Sequence, residues 1–162
     1  MKRRNEQGQA LIEFAVVVPL LILLIVNVVN FGAFLYAGIV VSNAARTGAD
    51  AMMMGPAYAG SQTYDSPTVI TSLVSDDMKS LPNYATATIT VCSNNNGTAE
   101  KPYDGCLASV TDPQPLASVV GQVTVTYNYT ALVPSWDFPG LGIHTTLPPT
   151  SITRRATTRL IQ

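Results

Sequence analysis

Charge is scarce in this chain, and the scarcity is uneven. No Asp, Glu, Lys or Arg occurs between Phe14 and Ala45, a stretch of 32 residues. Over the whole chain nine Lys and Arg nearly balance ten Asp and Glu. There is no basic excess to meet phosphates, so no nucleic-acid partner is expected. Histidine is limited to His144 and cysteine to Cys92 and Cys106. Two thiols and one distant imidazole fall short of the four ligands of a structural zinc site, so no metal is expected. No phosphate-binding loop is present, and no Ser or Cys has an evident base partner. The sequence therefore names no catalytic residue and no cofactor, and a non-enzymatic role is expected.

What is present is a long apolar run behind a short basic head. As a helix, 32 residues extend about 48 Å, whereas a bilayer core needs about 20 residues. The run thus spans a membrane and continues beyond it. Lys2, Arg3 and Arg4 precede it, which places the N-terminus in the cytoplasm and everything after roughly residue 40 outside. A secretory signal peptide has an apolar region of about 7–15 residues and a small-residue cleavage site behind it. This run is twice too long, and Glu13 at its start is the wrong residue for such a peptide. A plain signal anchor explains the basic head and the run but leaves Gly8 and Glu13 without a reason. A leader cut before the run, after Gly8, accounts for all four features.

Gly8 followed by Gln9-Ala10-Leu11-Ile12-Glu13-Phe14 resembles a type IV prepilin processing site. The glycine would end the leader, and the glutamate would be the fifth residue of the mature chain. The Glu13-Phe14 pair is the form typical of the Tad (tight adherence) branch. Three further stretches resemble the TadE-like pseudopilins. They are Glu13-Phe14-Ala15-Val16-Val17-Val18-Pro19-Leu20, Asn30-Phe31-Gly32 and Ser42-Asn43-Ala44-Ala45-Arg46-Thr47-Gly48-Ala49. Those proteins carry an EFA…P run, a (D/N)FG and an NAAR-x-GA stretch at these spacings. Asn30 stands where many family members have an acid. Ile152-Thr153-Arg154-Arg155-Ala156-Thr157-Thr158-Arg159 is similar to their closing strand, though less specifically. The resemblance is strong over residues 8–55, weak over 119–160 and absent from 56–118.

The residue types suit that chemistry. After cleavage the amine of Gln9 and the carboxylate of Glu13 stand at four-residue spacing, on one helix face. In a bundle the amine can also pair with a neighbouring subunit's glutamate, because an acid in an apolar setting is tolerated when paired and costly when alone. The alternative is a Glu13 at headgroup level that points to water. Gly8 supplies an extended, accessible backbone to a peptidase without steric cost, or is a flexible turn before the helix. Pro19 removes one helical hydrogen bond and tends to kink the run, which membranes tolerate. Ala33, Ala37, Gly38, Ala44 and Gly48 keep one side of the helix thin, so that backbones can approach closely. That side faces sister helices in a filament, or, for residues 44–54 at least equally, the chain's own distal domain. Phe31, Phe34 and Tyr36 fit an outer aromatic belt. Asn27 and Asn30 are polar spots suited to bonding a partner helix.

Three segments are expected: a cytoplasmic leader over 1–8, a membrane and assembly helix over 9–54, and an extracytoplasmic domain over 55–162. Gly55-Pro56 ends the long helix. Ser66 and Pro67 start a short helix, in which Ile70, Leu73, Val74 and Met78 share a face and which ends near Leu81-Pro82. Ala85, Ala87, Ile89 and Val91 alternate with threonines in a first strand. Val123, Val125, Tyr127 and Tyr129 alternate in a second strand over 119–133, and a last strand covers about 151–161. Outside the inner membrane, Cys92 and Cys106 pair naturally as a disulfide. Closing a loop of about 15 residues contributes roughly 3 kcal/mol by the chain-entropy model. The fold class is α+β: a long N-terminal helix packed on a small antiparallel sheet of three or four strands, with one short extra helix. Arg154, Arg155 and Arg159 on the last strand are candidates for a partner surface, and edge-strand protection explains Arg154 and Arg155 as well. Trp136, Phe138 and Tyr127 are candidates for core packing, a loop anchor or a binding spot.

The resemblance implies a TadE-like minor pilin of a Tad-type pilus or secretion system. Its implied partners are a prepilin peptidase, other pilin subunits reached through helix packing, an inner-membrane assembly platform and the membrane itself. Two alternatives stay open: the main subunit of its own filament, and an uncut bitopic anchor that presents a small binding domain.

Overall fold

The computed structural model describes residues 3–58, 66–95, 103, 119–134, 137–138, 143–144 and 146–160. Helix α1 covers Arg3–Tyr58 and α2 covers Pro67–Asp77. A single 3-10 turn, Tyr84–Thr86, leads to strand β1, Thr88–Asn95. Strand β2 is Val119–Tyr129, the two-residue strands β3 and β4 are Asp137–Phe138 and Ile143–His144, and β5 is Thr150–Leu160. The chain divides into two compact units, one of 1–36 with 130–150 and one of 37–129 with 151–162.

The larger unit is the α+β domain. Its antiparallel sheet has the order β1-β2-β5 and packs against the long helix. β1 and β2 run in register from Thr88 opposite Thr126 to Asn95 opposite Val119. On the central strand Val123, Val125, Tyr127 and Tyr129 are buried, while Asn128 between the last two is exposed. The expected two-residue period is thus visible in the burial. Within this unit α1 turns a stripe inward at helical spacing: Ala37, Val41, Ala44, Ala45, Ala49 and Met52 are all buried.

Local chemistry sets the element ends. Ser66 stands in an extended conformation before α2, and its Oγ accepts from the Val69 N–H at 3.4 Å. This supplies one of the bonds that a helix start lacks. Ile70, Val74 and Met78 are buried at four-residue spacing, whereas Leu73 is exposed. α2 ends at Asp77, earlier than expected, and the chain reaches Leu81 through a turn in which the Leu81 N–H donates to the Met78 carbonyl. Asn83 adopts a left-handed conformation, φ 57°, which asparagine tolerates better than most residues. The Thr86 N–H and Thr86 Oγ1 both donate to the Asn83 carbonyl. That local bonding replaces a strand, so β1 opens at Thr88 rather than just after Asn83. At the other junction α1 continues past Gly55-Pro56 to Tyr58, a shift of the size at which helix ends ordinarily fray.

Two glycines let the layers meet. A Cβ on Gly48 would lie 2.6 Å from Val74 Cγ2 and 3.2 and 3.3 Å from the Val123 methyls. A Cβ on Gly121 would meet Met52 Cε at 2.6 Å and Leu160 Cδ2 at 3.2 Å. Met52 is flexible at its end and can yield, whereas Val74 is branched and stiff at χ1. Around Gly38, by contrast, nothing lies within 4 Å.

Tyr127 closes the far side of this core. It is fully buried, and its Oη donates to the Pro82 carbonyl at 2.6 Å. Burial pushes its phenol above the usual 10.0, and the neighbouring Tyr129 adds to the shift.

Two outcomes follow. Gly48→Ala lowers stability by about 1–3 kcal/mol through overpacking, more than the gain of about 0.5–1 kcal/mol in helix propensity. Gly38→Ala, free of contacts, keeps that gain; urea melts of the detergent-solubilised chain compare the two. Alkaline melts test Tyr127. The folded chain holds the phenolic proton longer than the unfolded chain does. Stability is therefore full below about pH 10 and falls as pH rises through the folded-state value. Tyr127→Phe costs about 1 kcal/mol at neutral pH for the lost bond and flattens that alkaline fall.

Candidate functional site

Residues 8–36 of α1 belong to the smaller unit and have a different surface from the rest of the helix. Leu11, Ile12, Phe14, Val16, Leu20, Leu21, Leu23, Leu24 and Val28 are all about half exposed or more. No polar core lies on one side and no solvated face on the other; the helix is apolar all round. Such a helix is buried in lipid or against other helices, and Gly8–Met54 is long and apolar enough to cross a membrane.

Within that surface the sequence-predicted site residues sit as follows. Lys2 lies outside the described residues, and Arg3 and Arg4 begin α1. Gly8, Gln9, Glu13 and Phe14 are helical and exposed. The extended backbone expected at Gly8 is not found: α1 already includes this residue. A glycine in a helix interior is weaker than alanine by roughly 0.5–1 kcal/mol, so the turn around Gly8 is easily opened. Glu13 stands one turn from Gln9 at the start of the apolar surface, and the carboxylate is open to a partner.

The small residues divide. Ala33 and Gly38 are partly exposed. Ala37, Ala44 and Gly48 are buried, the last against Val74 and Val123 of the same chain. Cys92 is buried on β1, and Cys106 lies outside the described residues. Trp136 also lies outside them, and Phe138 and His144 fall on the short pair β3 and β4.

The two asparagines of the apolar run are satisfied within the chain. Asn27 Nδ2 donates to the Leu23 carbonyl at 2.9 Å, one turn back. Asn30 is fully buried. Its Nδ2 donates to the Val133 carbonyl and its Oδ1 accepts from the Val133 N–H, both at 3.1 Å. One side-chain amide thus holds both polar groups of one backbone residue, as a neighbouring strand would. Sequence reasoning offered a partner helix for Asn30. It flagged the polar residue in an apolar setting, but not a partner 103 positions away. A second unforeseen site is Ser93. Its Oγ donates to the Tyr103 carbonyl at 2.9 Å and accepts from the Tyr103 N–H at 3.2 Å, with both residues buried.

A protein-family model described as TadE-like protein matches residues 8–50. No curated protein and no solved structure matches the chain. The matched segment holds Gly8, the Glu13-Phe14 pair and the close-packed Gly48, so over residues 8–50 the chain is similar to the TadE-like proteins.

Proposed function

We propose that this chain is a minor pilin, or pseudopilin, of a Tad-type pilus or secretion system. The observation that carries the reading is the apolar surface of α1 with Glu13 at its head, inside the segment that matches the TadE-like family. The protein enters the inner membrane with Lys2, Arg3 and Arg4 on the cytoplasmic side and residues 55–162 outside. A prepilin peptidase opens the weak helical turn at Gly8 and cuts before Gln9. The new amine then pairs with Glu13 of a neighbouring subunit, which sets the register of helix packing. An assembly platform in the inner membrane passes the mature chain into the filament.

Lateral packing is assigned to residues 9–36 together with Gly38, because Ala37, Ala44 and Gly48 are covered by the chain's own core. The role is structural rather than catalytic. Outside the membrane, Cys92 and Cys106 form a disulfide. The docking of Tyr103 on Ser93 supports this, since it holds the chain three residues before Cys106 beside the residue that follows Cys92.

Intact mass and N-terminal sequencing of the protein from its native membrane test the processing. A chain that begins at Gln9 is expected; one that begins at Met1 in the presence of the peptidase leaves an uncut membrane anchor instead. Glu13→Ala is expected to be cut normally yet to enter sheared surface filaments many-fold less. Normal incorporation would remove its assembly role. A subunit found as the bulk of those filaments would be the main pilin rather than a minor one. For the disulfide, reduction is expected to lower the stability of the distal domain by roughly 3 kcal/mol. A chain that takes up two equivalents of a thiol reagent without reduction would exclude the bond.

A further inference from the structure

Residues 130–134 follow β2 and carry an apolar tip. Leu132 is 60% exposed and Val133 39% exposed, and Pro134 beside them is exposed as well. Three consecutive apolar residues thus share one exposed tip. What holds the tip in place is Asn30, whose amide takes both backbone groups of Val133. The tip is therefore fixed at one level of the apolar helix.

That level can be measured along the helix. Glu13 and Asn30 are 17 residues apart, or about 26 Å at 1.5 Å per residue, and Gln9 and Asn30 about 32 Å. The hydrocarbon core of a bilayer is about 30 Å thick. With the acid and the basic head at the inner boundary, Asn30 falls at the outer one. The helix agrees independently: Phe31, Phe34 and Tyr36 follow immediately, and aromatic residues collect at the membrane–water interface. Between Phe14 and Asn30 the sequence holds one other polar side chain, Asn27, and it bonds its own helix.

We infer that the tip formed by Leu132, Val133 and Pro134 is an interfacial anchor, clamped by Asn30 and inserted in the outer leaflet of the membrane that α1 crosses. It adds an outer-leaflet anchor to a helix whose inner boundary is marked by Glu13 and the basic head. The occupant is lipid rather than a protein groove, since the tip is continuous with a helix surface that itself needs lipid at that level. This rests on the membrane-spanning reading of α1.

The test uses the full chain in vesicles of phosphatidylethanolamine and phosphatidylglycerol. Trp136 is the sole tryptophan, so Trp136→Phe gives a silent background. In it, Leu132→Trp reports the tip, Val16→Trp the membrane-spanning part of the helix and Thr90→Trp the distal sheet. With brominated acyl chains, the Leu132→Trp and Val16→Trp chains are expected to lose about half of their emission or more, and the Thr90→Trp chain little. Adding Asn30→Ala is expected to return most of the Leu132→Trp emission.

Quenching at Val16→Trp without quenching at Leu132→Trp overturns the anchor and leaves the membrane helix standing. Quenching at neither overturns both. Full quenching at Leu132→Trp that persists with Asn30→Ala overturns the clamp. A tip that is unquenched and crosslinks to a second copy belongs to a subunit interface, which also overturns the proposal.

Discussion

The distal domain depends on how closely the backbone of α1 can approach its neighbours at Gly48. A methyl group there would run into Val74 of α2 and Val123 of β2. One residue without a side chain thus lets helix, helix and sheet share a single contact point. The alanines around it, Ala44, Ala45 and Ala49, are also buried. Larger residues on this stripe would push the helix away and leave gaps elsewhere, and protein interiors do not tolerate gaps cheaply. The NAAR-x-GA pattern is therefore a packing pattern of the chain's own core.

α1 then carries two kinds of apolar surface. Over 37–52 the apolar residues form an inward stripe, with Arg46 and Asp50 exposed on the helix. Over 8–29 they surround the helix and remain largely uncovered. Hydrophobicity alone does not separate the two, since both stretches are rich in Ala, Val, Leu and Ile. Periodicity does: charges return at Arg46 and Asp50, at helical spacing, only where the chain supplies its own cover.

Much of this was legible in the sequence, and the failures have physical causes. The N-cap at Ser66, the alternation along β2 and the closing strand were read from local chemistry, which acts within a few residues. β1 starts later than the alternation suggests because a threonine side chain, Thr86, bonds back to Asn83 and turns the chain there. β2 ends at Tyr129, earlier than the composition suggests. The residues beyond Tyr129 have strand composition, but Val133 spends its backbone groups on Asn30 instead of a sheet. The amide clamps at Asn30 and Ser93 escaped because each pairs residues that share no pattern. A buried polar side chain announces that it needs a partner, not which one.

The order of the sheet also has a consequence for how the domain is made. β2 is the central strand, and its second neighbour is β5, the last strand in the chain. Leu160 of β5 packs where Gly121 and Met52 meet. During synthesis, α1, α2, β1 and β2 are all complete while one edge of β2 is still open and the core still lacks Ile152 and Leu160. An unpaired strand edge is a template for wrong partners. The domain is thus exposed to mispairing until residue 160 has arrived. A ribosome that stalls or a chain that is cut before β5 yields a species with the helix intact and the sheet unfinished, a natural target for proteolysis.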